Sequence, residues 1–394
     1  MIGIYVISIV LFIIMNTALC FVKDKEKNSL FFVFLDVLSI IVLVAIMTHA
    51  NYSDLPVYER HYSFSKYDML NSRFEGGFNW YMVFCRHILK LSFTQFKFVT
   101  FSLCIILFYL TYRKITYNFS YFVMIFMMYE IFFNGVQIRN FMAISLVAFG
   151  IPYLIKGSVK GIATYILLVI LAFSIHHSAL AYLAFVIIVL PFRKIFNSKM
   201  SKIIMFFIAG VFLFVLVDLA KKGTLKQMLI SISYQYVSYD VGNRVVSHSG
   251  GRWGNSQIYL FGVILLYFAS VYIFSNGNIV SKISNYKYKL SLRHLVVRKE
   301  RLEVDLNIKK HFLFLNFIAI FYIVLCVFSS TFYRLLRGMC LIDIIYFAAI
   351  INNTSRKEWR VIVLVLSFIL NCIWIYYDLV VPQRFFEHIL GYLR

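Results

Sequence analysis

Charge is scarce in this chain. Only 14% of its 394 residues are Asp, Glu, Lys or Arg, and acidic residues are the rarer kind, 17 against 39 basic ones. Together with 61% hydrophobic residues, that scarcity excludes an ordinary soluble domain and points to a polytopic membrane protein. Strict apolar–polar alternation is also missing. Continuous apolar runs near the ~20 residues that a helix needs to cross a bilayer exclude the dyad pattern of a membrane β-barrel. The six cysteines, Cys20, Cys85, Cys104, Cys326, Cys340 and Cys372, form no CxxC pair and no His/Cys cluster at ligand spacing. Neither a disulfide framework nor a metal site is therefore expected. No basic segment precedes the first apolar run and lysines follow it, so residues 1–22 read as an uncleaved reverse anchor. No internal repeat at helix-pair spacing is visible, so the repeat signature of many secondary transporters has no support.

What is present is a succession of apolar segments. They predict an all-α integral membrane protein, one polytopic domain over residues 1–394, with about twelve transmembrane helices. The expected spans are 2–22, 29–49, 95–112, 118–134, 136–155, 161–176, 178–192, 203–220, 257–275, 311–331, 338–352 and 360–378. More than half of the basic residues fall in alternate connections: "KDKEK", "YRK", "KGSVKG", "FRKIFNSKMSK", residues 276–310 and "SRKEWR". The positive-inside rule makes these cytoplasmic, and the net charge of +22 is then explained by topology and attraction to anionic lipid rather than nucleic acid. Two longer segments, 50–94 and 221–256, fall on the extracytoplasmic side. Both are rich in tyrosine and charge, and residues 76–91 carry the apolar spacing of an interfacial helix.

Ionisable residues near membrane depth are costly and so stand out. Arg139 opens the apolar run in "NGVQIRN", crowded by Asn134, Gly135, Gln137 and Asn140; it is either a snorkelling interface arginine or a fork for phosphate oxygens. Glu130, one turn below the hairpin that bears Arg139, is a candidate either to neutralise it or to act in catalysis. His176 and His177 in "FSIHHSAL" are either turn caps or ligand-facing groups, and about 100° of helical rotation allows only one of them to face Arg139. Arg334 and Arg337 in "FYRLLRG" lie three residues apart on one helical face, as interface anchors or as an anion site. All of these map to the outer half of the bilayer. An outer site for a diphosphate, walled by tyrosines, suggests a lipid-linked sugar.

In order and spacing, "SDLPVYERHY", "FEGGFNWY", "QIRNFMA", "FSIHHSAL" and the late "FYRLL" resemble the EpsG-like branch of Wzy-type bacterial polysaccharide polymerases. The resemblance implies a GT-C-like membrane glycosyltransferase in the bacterial cytoplasmic membrane. Such an enzyme joins oligosaccharide repeat units carried on undecaprenyl diphosphate at the outer face, building capsule, exopolysaccharide or O-antigen, with no cofactor or metal. It nominates Asp54, Tyr58, Glu75, Arg139, His176 and Arg334. From the chemistry such a transfer needs, His176 is the expected base, with Glu75 and Asp54 as competitors; Arg139, Arg334 and Arg337 are candidates for the diphosphate, and Tyr58, Tyr62, Gln137, His177, Tyr239 and Arg244 for the sugar. Membrane lipid and the pathway's flippase and chain-length regulator are the implied partners. A flippase for the same oligosaccharide, an O-antigen-type ligase and a membrane acyltransferase are the alternatives.

Overall fold

A computed structural model of the chain describes residues 2–21, 30–51, 54–116, 118–186, 312, 315–316, 318, 322, 333–353 and 357–375. Every regular element among them is helical: α1 (Ile2–Leu19), α2 (Leu30–His49), α3 (Leu55–Tyr62), α4 (Lys66–Leu70), α5 (Gly76–Val83), α6 (Phe93–Ile115), α7 (Phe119–Ile125), α8 (Ile131–Asn134), α9 (Ile138–Lys156), α10 (Val159–Ile175), α11 (Tyr333–Asn353) and α12 (Lys357–Ile375). Three of them, α2, α6 and α9, are long and apolar enough to cross a membrane, as expected of a membrane protein. The expected spans at 203–220 and 257–275, most of that at 311–331, and the loops 221–256 and 276–310 lie outside the described residues.

The chain falls into two compact units, residues 1–180 with 278–287 and 342–394, and residues 181–277 with 288–341. Within the first, α9 packs against α6 and α10, α6 against α2, and α1 against α7. An aromatic column fills the space between α6, α7 and α9. Phe108 stacks on Phe122 at 4.9 Å and on Phe141 at 5.7 Å, and Phe126 closes on both Phe122 and Phe141. The expected span 118–134 is not one regular helix. It runs as α7, a π-helical turn Phe126–Glu130, and the short α8, a local widening that hydropathy does not register.

Polar residues set where the helices begin and end. Ser92 and Gln95 form a reciprocal capping box at the start of α6. At the foot of α9, Gly157 takes the left-handed conformation (φ 66°) that ends the helix without steric penalty, and Ser158 at once caps α10. Lys97 is buried in α6 and donates to the Ala50 carbonyl at 2.7 Å, closing the exposed end of α2 from a neighbouring helix. The α9–α10 hairpin is close-packed through glycines: a Cβ on Gly150 would meet the Tyr165 ring at 2.7 Å, and one on Gly161 the Tyr153 carbonyl oxygen at 2.6 Å.

The segment from 54 to 92 caps the bundle end at which α2 stops and α6 starts. It is helical for most of its length, and α5 continues as a π-helical turn, Phe84–Ile88, that exposes Trp80, Phe84 and Ile88. In the second unit, Tyr182 lies near the end of the 3-10 helix His177–Leu183. It donates to the Leu335 carbonyl at 3.1 Å, while Tyr322 donates to the Ala181 carbonyl at 2.7 Å.

Because Tyr153 offers a backbone atom and not a movable side-chain tip, Gly161→Ala is expected to destabilise the hairpin by about 1–3 kcal/mol. Thermal unfolding of the detergent-purified protein measures it; an unchanged midpoint would show that the two helices separate without penalty.

Candidate active site

Two other stretches bring a side chain to Glu75, and a third, α3, reaches the group through Arg139. The carboxylate stands at the extended residue before α5 (φ −64°, ψ 143°), where the helix dipole favours negative charge. The loop before it is held by Asn79, whose amide donates to the carbonyls of Phe74 at 3.0 Å and of Leu70 and Ser72 at 3.4 Å, while its oxygen accepts from the Ser72 hydroxyl. Arg139, the second residue of α9, pairs with Glu75 Oε2 through Nη1 and donates from Nε to the Tyr58 hydroxyl at 3.2 Å. Its guanidinium carbon lies 4.4 Å from the Phe74 ring centre and 5.7 Å from that of Tyr58. His176 terminates α10, its backbone already extended (φ −152°, ψ 119°) and its N–H on the Ala172 carbonyl. Its Nδ1 lies 2.9 Å from Glu75 Oε1, which also accepts the backbone N–H of His177 at 3.3 Å.

The three charged partners are largely withdrawn from solvent: side-chain exposure is 7% for Glu75, 18% for Arg139 and 12% for His176. Burial by itself would raise the Glu75 pKa, but the hydrogen bond from His176 and the positive charge of Arg139 outweigh it and hold the carboxyl at about 2. Glu75 is therefore ionised at any ordinary pH. An ionised carboxylate can only accept, so the proton in the 2.9 Å contact belongs to His176 Nδ1. The lone pair of the neutral ring then lies on Nε2, a tautomer set by the neighbour rather than by the histidine itself. The low pKa also makes Glu75 a poor base and a good orienting group. Arg139 is held by a carboxylate, so its charge is already balanced within the protein.

The other residues expected at a site fall in different places. Tyr58 belongs to the cluster, buried against Phe74 and Phe78. His177 points outward at 71% side-chain exposure and reaches Glu75 mainly through its backbone, in keeping with the angular argument that only one of the two histidines faces Arg139. Asp54 is the half-exposed residue before α3, accepting the N–H groups of Val57 and Tyr58 through its main-chain carbonyl. Tyr62 is buried in the core against Phe93 and Phe96, its hydroxyl donating to the Leu91 carbonyl at 3.0 Å. Gln137 precedes α9 with no side-chain cap. Glu130 accepts from the Asn134 amide at 2.8 Å; the carboxylate beside Arg139 is that of Glu75. Arg334, half-buried, and Arg337, buried, lie in the first turns of α11 in the second unit. Tyr239 and Arg244 lie outside the described residues. Among the described residues, no three His, Cys, Asp or Glu side chains gather as metal ligands.

Sequence reasoning missed Phe74, the plate on which the guanidinium rests, although it sits beside Glu75 in the same motif. It also missed the role of the paired glycines. A Cβ on Gly77 would meet the Ser174 hydroxyl and lie 2.7 Å from its carbonyl oxygen, whereas one on Gly76 would meet nothing within 4 Å. Gly77 thus lets α5 approach α10 two residues before His176.

Two outcomes follow from this geometry. Gly77→Ala should separate α5 from α10 and disturb the Glu75–His176 contact, while Gly76→Ala leaves it intact; the titration of His176 followed by NMR distinguishes them, and identical curves would show the glycine to be dispensable. The second concerns acid. Glu75 titrates at about 2 in the folded protein against an ordinary 4.5, so the stability from its pairing is complete above 4.5 and is lost as pH falls through 4.5 toward 2. The unfolding midpoint of the wild-type protein should fall toward that of Glu75→Gln across this window, and a constant gap would mean that the pairing contributes nothing.

Comparison with known sequences adds an independent line. A family model described as the EpsG family matches residues 33–390. No curated protein and no solved structure matches. With that match spanning well over half of its length, and on the helical architecture and the motif residues now placed, the chain belongs to the EpsG family.

Proposed function

We propose that this protein is a polysaccharide polymerase that joins oligosaccharide repeat units carried on undecaprenyl diphosphate at the outer face of the bacterial cytoplasmic membrane. Membership of the EpsG family supports a polysaccharide polymerase-type role in the broad sense. The finer reading rests on one observation, the Glu75 carboxylate bound to His176 Nδ1 on one oxygen and to Arg139 on the other. A sugar linked to diphosphate already carries its leaving group. The protein must remove a proton from the acceptor hydroxyl and stabilise charge on the departing diphosphate.

His176 Nε2 takes the hydroxyl proton as the acceptor oxygen bonds to the anomeric carbon of the donor. The bond from that carbon to the diphosphate oxygen breaks, and the electron pair leaves with the lipid diphosphate. Glu75 acts through His176: it fixes the tautomer and supports the imidazolium that forms, the role a buried carboxylate plays for any histidine base. Arg139 faces the developing negative charge. Tyr58 orients Arg139 through Nε. None of these steps needs a metal. The basic connections at 113–114 and 156–160 belong to the opposite end of the helices, so the positive-inside rule supports an outer site.

The test is a reconstituted reaction. The detergent-purified protein, given a defined repeat unit on undecaprenyl diphosphate, should yield a ladder of chains and free undecaprenyl diphosphate. His176→Ala should lower turnover by about 10²–10⁴-fold, the usual contribution of a positioned base. Glu75→Gln should lower it too, and should move the pH–rate profile because the tautomer is no longer fixed. A single transfer without a ladder would favour a ligase, movement of intact substrate across liposomes a flippase, and full turnover in His176→Ala would remove the histidine from the chemistry.

A further inference from the structure

Around Phe74 lies a second set of basic side chains that the mechanism does not use. Arg73 places its guanidinium carbon 5.5 Å from the ring centre, against 4.4 Å for Arg139. His61 lays its ring against the same phenyl at 4.6 Å. Arg60 precedes His61 on α3. Burial first, and then the charges of Arg73, Arg60 and Arg139, push the His61 pKa down, so these four side chains share one electrostatic neighbourhood. The charge of Arg139 is answered by Glu75. Arg60 and Arg73 are exposed and form no ion pair among the described residues. Asp68 accepts from the Ser65 hydroxyl at 2.6 Å. His61 Nδ1 is buried with no hydrogen-bond partner among the described residues.

We propose that Arg60 and Arg73 receive the anionic head of the substrate, a phosphate or diphosphate, with Arg139 and Phe74 forming the inner wall of the same site. Two guanidiniums around one aromatic ring repel each other unless an anion lies between them, and the inner one is already neutralised. The outer pair is therefore the part of the cluster with charge left to offer. Planar guanidinium forks suit phosphate oxygens, which accept two parallel hydrogen bonds from each. Arg73 and Arg139 both lie against Phe74, so a head bound by Arg73 lies close to the Glu75–His176 pair. The identity of the substrate rests on the proposed polymerisation; the anion site does not.

Binding of inorganic pyrophosphate to the full-length protein in detergent, followed by isothermal titration calorimetry, tests the site. Wild-type protein should bind, and Arg60→Gln with Arg73→Gln should weaken binding by about tenfold for each arginine removed. The double variant Arg60→Lys with Arg73→Lys, which keeps the charge and loses the fork, should fall in between. Farnesyl diphosphate used in place of pyrophosphate separates the sources: tighter binding marks a lipid-linked head, and equal affinity marks a free anion. No binding to the wild-type protein, or undiminished binding to the glutamine double variant with an unchanged unfolding midpoint, overturns the proposal. A missing polymer ladder with intact arginine-dependent binding would remove the polymerase reading and leave the anion site. A full ladder from the glutamine double variant would do the reverse.

Discussion

Everything at this site depends on one carboxylate being ionised in a place where few ions are tolerated. Glu75 would be protonated by burial alone; the two partners on its two oxygens keep the negative charge, and that charge in turn holds both partners. Removing one member of such a buried pair leaves an uncompensated charge, which is why breaking these pairs typically costs about 3–5 kcal/mol even when the intact pair contributes little net stability. The arrangement is a latch more than a source of stability. It ties the loop before α5, the first turn of α9 and the last turn of α10 to one point, three stretches that backbone hydrogen bonding alone would leave independent.

The positions of these groups at helix ends have a physical reason. A carboxylate before the first turn of α5 and a histidine at the close of α10 both sit where the backbone dipole favours them when charged. Arg139 does not: near the N-terminus of α9 it faces a positive helix end, so its placement needs the carboxylate and the aromatic face of Phe74. Local preference and tertiary need conflict at that residue, and such conflicts concentrate where a protein uses a side chain rather than merely packing it.

How much of this was legible in the sequence follows the same division. Arg139, His176 and Glu75 could be singled out one by one, the first two because a polar group in an apolar run is costly and the third through its motif. Helices α2, α6 and α9 were legible from hydropathy alone. Which carboxylate meets Arg139 was not. Glu130 is nine residues away and Glu75 sixty-four, and only the approach of α5 to α10, permitted by Gly77, brings the distant one into contact. The π-helical turn within 118–134 was hidden because, up to Glu130 at its end, its residues Phe126–Tyr129 are as apolar as those of a regular helix. Phe74 was hidden for a related reason: one phenylalanine among 42 has nothing in its identity to mark it as the plate beneath a cation.

The pairing of Arg139 also constrains how any anion can be handled there. A carboxylate with a pKa of about 2 cannot be neutralised by a proton to release its arginine, so an incoming phosphate must share the guanidinium with Glu75 rather than replace it. A shared cation binds a ground-state anion weakly, because the two negative groups repel across it. Its attraction still grows as negative charge builds on a leaving group, and so does the attraction of an imidazolium formed on the other oxygen of Glu75. Interactions that strengthen only as the reaction proceeds accelerate it, whereas uniformly tight binding does not. A carboxylate that keeps both partners partly satisfied at rest therefore suits the function proposed, in which a highly charged lipid head is bound and then let go.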